Sequence, residues 1–231
     1  MSNLTLSRRE HISMALQNNR LFIAAELLFV TIIQLFEVWG LPAIFVLFPF
    51  GWLSLWLRKS SWRDVGLRRP ASWPRTIGIG VAAGVANALI ALSLIAPLVQ
   101  QFGGGTEDLS QYESLPGNIP VLIVWILIGW IIGGFMEEMF YRGYLLNRIA
   151  GFFGQNQESW AIGLFVSSAF FALGHLYLGV SGVIQTFFEA CFWAVLYLAG
   201  GRNLWLPIIG HGITNTIGFI LMYLGLYPGI V

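Results

Sequence analysis

The chain has 231 residues, of which 57% are hydrophobic and 10% charged, with a mean hydropathy of +0.74. A soluble domain carries about a quarter of its residues as charges, so the composition excludes a soluble globular protein and describes an integral membrane protein. The formal net charge of +1 says little by itself; the placement of the charges says more.

The opening stretch MSNLTLSRREHISMALQNNR is polar. The apolar run behind it is too long for a signal core and lacks a small-residue cleavage site, so an uncleaved anchor is expected. Crossing about 30 Å of hydrocarbon takes about 20 helical residues. Such runs occur near 20–38, 41–57, 76–99, 119–147, 160–178, 183–199 and 205–226, which predicts about seven spans. Long runs rather than short alternating segments favour helices over an outer-membrane barrel. The predicted fold class is all-α, a polytopic transmembrane helical bundle. It forms a single membrane domain over 1–231, with residues 119–226 as a four-helix core carrying nearly all the intramembrane polar groups.

Arg8, Arg9 and Arg20 precede the first run, and Arg58, Lys59, Arg63, Arg68, Arg69 and Arg75 follow the second. Arg142, Arg148 and Arg202 fall toward the same side, while the connection QQFGGGTEDLSQYESLPGN has acids and no base. The positive-inside rule then predicts a cytoplasmic N-terminus and an outside C-terminus, as expected for a protein of the cytoplasmic membrane. The basic stretch reads as topology and anionic lipid, with no nucleic acid as partner. The one cysteine, Cys191, supports neither a disulfide framework nor a thiolate metal cage, and reads as a small buried hydrophobe.

The stretch GGFMEEMFYRGYLL, residues 133–146, places Glu137, Glu138 and Arg142 inside an apolar run. Ionisable groups there cost about 2.5–3.5 kcal/mol each on insertion scales and by default mark a function. On an α-helix turning about 100° per residue, Glu138 and Arg142 share a face, while Glu137 points about 140° away from Arg142. Glu138 and Arg142 therefore read as a structural ion pair. Glu137 is left as a desolvated carboxylate suited to general acid–base work. His175 in FFALGHLYLG shares a face with Phe171, and His211 in LWLPIIGHGITNT shares one with Asn215. A Glu, two His and an Asn on three helices suffice to hold a water, deprotonate it and stabilise a tetrahedral intermediate. The same Glu137, His175 and His211 are alternatively ligands for a divalent metal such as zinc.

These residues resemble the CPBP intramembrane proteases, which include CAAX prenyl endopeptidases and bacteriocin-processing or Abi proteins. Three motifs match in order: E-E-x-x-x-R at Glu137, Glu138 and Arg142; F-x-x-x-H at Phe171 and His175; H-x-x-x-N at His211 and Asn215. The segments EEMFYRGYLLNRI, GGRNLWLPIIGHGITNT and DVGLRRP are also similar to the family. The resemblance implies a membrane endopeptidase acting on a membrane-associated peptide or protein. Glu137 with His175 would activate water, His211 and Asn215 would stabilise the oxyanion, and no cofactor is required as first choice, with a metalloendopeptidase as the alternative.

One count conflicts with a shared site. Helical rise puts Glu137 about 15 Å and His211 about 10 Å from the cytoplasmic ends, but His175 about 24 Å deep if its span begins at Ser159. Either that span tilts or RIAGFFGQNQES folds back inward; the fold-back is expected, with an opening to the cytoplasm. Among other readings, LGVSGV carries the G-x-S-G of a rhomboid serine, but a small-residue turn explains it better. No H-E-x-x-H is present to support a site-two zinc protease. A proton-coupled transporter would use the same intramembrane charges, and a non-catalytic immunity or scaffold protein would keep the fold. The role of Glu189 is open, Glu26 and Glu37 are expected to reach interfacial water, and Ala190 and Ala194 are spaced for close helix packing.

Overall fold

The computed structural model describes residues 8–36 and 42–229, and their regular structure is helical throughout. We number the helices α1 (Arg8–Asn18), α2 (Arg20–Phe36), α3 (Ile44–Leu57), α4 (Trp73–Gln101), α5 (Ile119–Phe153), α6 (Gln157–Leu173), α7 (Gly179–Ala199) and α8 (Trp205–Tyr223). Among them α4, α5, α8 and α7 with its leading turn from Leu176 are long and apolar enough to cross a membrane. The remaining predicted runs form shorter helices, 17 residues in α2, 14 in α3 and 17 in α6. Large apolar side chains such as Trp52, Trp56, Leu89, Ile123 and Val195 point outward, as a lipid-facing surface requires.

Polar caps and glycines set the helix ends. The Asn118 side chain accepts from the Val121 N–H at the start of α5, and Asn156 does so from Ser159 at the start of α6, each satisfying an otherwise orphaned donor. Gly154 ends α5 at φ +111°, a conformation that side chains with a Cβ rarely adopt. Within α5, Gly129–Glu137 and Met139–Leu146 are π-helical, a wider winding that often accompanies functional sites.

The connections gather on two opposite faces. On one, Arg68 donates to the Gly201 carbonyl at 2.8 Å and the Tyr197 hydroxyl to the Val65 carbonyl at 2.8 Å, joining the basic 58–72 segment to the α7–α8 connection. On the other, the Asp108 N–H donates to the Leu178 carbonyl at 3.0 Å and the Gly117 N–H to the Tyr223 carbonyl at 2.9 Å. The acidic 102–118 connection is thereby fixed across the start of α7 and the end of α8.

The expected fold-back of RIAGFFGQNQES does not form. Those residues are the last turns of α5, a tight turn at Gly154 and Gln155, and the start of α6. The depth conflict closes because α5 continues to Phe153, past the predicted end at 147. Glu137 then lies roughly 24 Å above the end of α5, and His175 roughly 27 Å above the start of α6, both counted at helical rise. α8 is level with the start of α5 at its far end, through Gly117 and Tyr223, but has 19 residues against 35. Its start is level with Gly143 of α5, where a Cβ would lie 3.0 Å from Leu204 and 3.5 Å from Val65 of the basic segment, so His211, seven residues on from Leu204, lies at the depth of Glu137, six residues before Gly143.

Glu26, expected to reach interfacial water, is held by two side chains. It ion-pairs with Arg148 and accepts from Ser54, with its side chain 13% exposed. Glu37 lies outside the described residues.

Candidate active site

The π-helical stretch of α5 presents Glu137 to a cavity that is also lined by His175, His211, Asn215, Glu189 and Tyr141. Four polar residues from three separate sequence motifs thus converge on one space inside the bundle. Its volume is about 570 Å³, within the range of ligand-binding clefts.

Each imidazole is held by its Nδ1. His175 Nδ1 lies 2.9 Å from the Phe171 carbonyl, which can only accept, so that nitrogen carries the proton and Nε2 keeps its lone pair. His211 Nδ1 lies 2.8 Å from Glu138 Oε1 and is likewise the donor to a carboxylate. Glu138 Oε1 also accepts from Arg142 at 2.8 Å, and Arg142 donates its other arm to the Ala190 carbonyl at 3.0 Å. All three side chains are nearly inaccessible, at 0% for Glu138, 1% for Arg142 and 5% for His211. Glu138 is therefore more than the partner of Arg142, because it also fixes the ring of His211. No spacing in the sequence signals a bond between residues on α5 and α8.

Aromatic rings complete the frame. Phe171 stacks on His175 at 4.7 Å, meets His211 edge-on at 5.9 Å and receives the Arg142 guanidinium over its face at 4.6 Å. Trp193, fully buried on α7, lies parallel to the His211 ring at 5.9 Å. Phe171 thus sits between the brace and both histidines, and the sequence singled it out only through its motif.

Two glycines let α8 approach α5. Asn215 donates to the Gly129 carbonyl at 3.1 Å, leaving the second amide hydrogen for another acceptor. A Cβ on Gly133 would lie 2.5 Å from Asn215 Nδ2 and 3.6 Å from His211 Nε2. Gly133 belongs to the GG of GGFMEE, a small-residue pair of the kind that lets helices approach.

The cavity opens beside the acidic 102–118 connection. Its lining includes Asp108, Ser110 and Gln111, all exposed, together with Tyr112 and Tyr227. It contains no residue of the 58–75 segment, the α5–α6 turn or the α7–α8 connection. The mouth therefore lies on the face of the acidic connection, not on the basic face. Burial raises the Glu107 carboxyl above the usual range, partly offset by the hydrogen bond that the Tyr227 hydroxyl donates to it at 3.2 Å.

Among the described residues no three His, Cys, Asp or Glu side chains gather as a metal-binding group. Glu137, His175 and His211 share the cavity without forming such a cluster.

The fold and site define a helical membrane protein with a partly open chamber inside its bundle, lined by apolar side chains and a few polar ones. Residues 119–217 match the family model described as Type II CAAX prenyl endopeptidase Rce1-like, consistent with the CPBP resemblance. That segment holds Glu137, Glu138, Arg142, Phe171, His175, His211 and Asn215. No curated protein and no solved structure gives a significant match to the chain.

Proposed function

We propose that the protein is an intramembrane endopeptidase that hydrolyses a peptide bond of a membrane-associated peptide or protein. The observation that carries this reading is the meeting of Glu137, His175, His211 and Asn215 on one cavity, within a segment matching a CAAX protease family model. The bundle is read with about seven helices entering the cytoplasmic membrane, the N-terminus inside and the C-terminus outside.

A water held between the Glu137 carboxylate and His175 Nε2 loses a proton to Glu137 as its oxygen bonds to the scissile carbonyl carbon. The carbonyl oxygen, now carrying the charge, accepts from the second Asn215 amide hydrogen. His211 can add an Nε2–H only as the imidazolium, whose other N–H is already directed at Glu138. Collapse of the tetrahedral intermediate breaks the C–N bond, and Glu137 returns its proton to the departing amine. Atoms and charge balance without a metal in this scheme; the alternative is a divalent ion such as zinc on Glu137, His175 and His211.

Quenched fluorescent peptides carrying a lipid anchor, reconstituted with the purified protein in liposomes, test the reading. Wild type is expected to cleave, and Glu137→Gln to lose about 10²-fold or more in rate with its thermal unfolding retained. A Glu137→Gln variant as fast as wild type would sink the assignment. Unchanged cleavage after dialysis against a chelator favours the metal-free scheme, and loss restored by zinc favours the other.

A further inference from the structure

The chamber holds one acid that neither the brace nor the activation of water employs. Glu189, on α7, lines the cavity together with Glu107, Asp108 and Glu137, whereas no Lys or Arg stands among the described residues of its lining. Glu189 itself makes no hydrogen bond or ion pair among the described residues. Arg142, the cation of the neighbouring brace, has its arms on Glu138 and the Ala190 carbonyl. Burial, and after it the carboxylates of Glu107 and Glu189, push the Tyr227 hydroxyl well above its ordinary range, so both carboxylates act on the same end of the chamber. A carboxylate taken out of water is costly unless a cation or a donor meets it.

Beside Glu189 lies a second, smaller niche. About 120 Å³ in volume, it is lined by Glu189, Phe188 and Phe192 of α7 and by Asn87, Ile90 and Ala91 of α4, next to the π-helical turn Ala91–Ile95. Glu189 and Ala91 line both spaces, which makes the niche a side pocket of the chamber. Asn87 is 2% exposed, and its Nδ2 has no acceptor among the described residues. An unmet buried donor is expensive to keep. A half-turn of the amide exchanges its two ends, so Asn87 can offer the niche either a donor or an acceptor. Apolar walls with an acid and an amide between them suit a long side chain that carries its charge at the tip.

We propose that Glu189, with Asn87 beside it, forms a specificity subsite that takes a cationic side chain, Lys or Arg, of the peptide held in the chamber. The carboxylate accepts from the ammonium or guanidinium, the turned Asn87 amide supplies a second acceptor, and the methylene stem lies along Ile90, Phe188 and Phe192. The word peptide rests on the protease reading; the preference for a cation rests on the charges of the chamber itself.

Lipid-anchored quenched peptides test the subsite, in liposomes of zwitterionic lipid so that the bilayer does not itself concentrate the basic ones. Each peptide carries a single Lys, Arg, norleucine or Glu, moved residue by residue along the stretch around the scissile bond. Wild type is expected to prefer Lys or Arg over norleucine by about tenfold or more in kcat/KM at one position. Glu189→Gln should bring that ratio close to unity, and Asn87→Ala should lower it part of the way. Binding separates the subsite from the activity: the Glu137→Gln protein is expected to hold a dye-labelled Lys peptide about tenfold more tightly than its norleucine counterpart, read by fluorescence anisotropy. A Lys preference that survives in folded Glu189→Gln, a preference spread evenly over all positions, or equal handling of Lys and norleucine in cleavage, or in binding where nothing is cleaved, would overturn the inference. Selective binding of the Lys peptide by a wild type that cleaves nothing would defeat the protease reading alone.

Discussion

One oxygen of Glu138 accepts from two cations or would-be cations, Arg142 and His211, each at 2.8 Å. Removing one member of a buried pair leaves the other charge unsolvated, at a cost of about 3–5 kcal/mol. Arg142→Ala and Glu138→Ala are therefore expected to lower thermal stability in detergent by that order, whereas Glu138→Leu with Arg142→Met should recover much of it. Peptide cleavage by the double variant should stay low, because His211 loses the partner that orients it. A double variant that regained both stability and activity would show that the carboxylate only braces the fold. Gly133→Ala makes the complementary case. Its Cβ would lie 2.5 Å from Asn215 Nδ2, so the amide must move. A misplacement of about 1 Å can cost about 10²-fold in rate, which kinetics on the folded variant would reveal.

At the scale of helices, the sequence made Glu138 and Arg142 legible because they lie four apart on one strand of chain, where a helical wheel suffices. It could not show that Glu138 also meets His211, since residues 138 and 211 are joined only by packing. The depth of Glu137 was misjudged for a related reason: hydropathy fades at Asn147 and Arg148, although the helix continues to Phe153 with Arg148 neutralised by Glu26. A charge satisfied by a distant acid looks like a boundary to any local reading. Close packing of α4 on α8 is another pairing that only the fold reveals. A Cβ on Gly84 would sit 2.6 Å from the Gly210 carbonyl and 2.7 Å from Ile213, and Thr214 donates to the Gly84 carbonyl at 2.9 Å. Small residues at such crossings let backbones touch. Gly84→Val should cost about 1–3 kcal/mol through overpacking, read as a lower melting temperature, while Gly78→Val, with open space around it, should change little.

For the molecule as a whole, the question is whether α1–α3 form a separate front section, as the break in polar content near residue 75 suggests. The side chains say otherwise. Arg148 on α5 ion-pairs with Glu26 on α2 and donates to the Leu16 carbonyl on α1, while the Tyr144 hydroxyl donates to Ser54 on α3. Tyr141 donates to Gln34 at 3.0 Å, which ties a cavity-lining residue directly to α2. A continuous apolar cluster crosses the same boundary, with Val30, Leu47 and Leu55 packed with Phe140, Leu145 and Ile149. Surfaces this intimate melt together, because exposing one exposes the other. Thermal unfolding of the purified protein should accordingly show a single transition when α2 and α8 are followed by hydrogen exchange. Glu26→Ala leaves Arg148 buried without its acid and should shift that transition down, yet keep it single, since the apolar cluster still couples the helices. If α2 instead lost protection while α8 around His211 kept it, the front section would be an independent unit and the contacts of Tyr141 and Tyr144 would be incidental to the chamber.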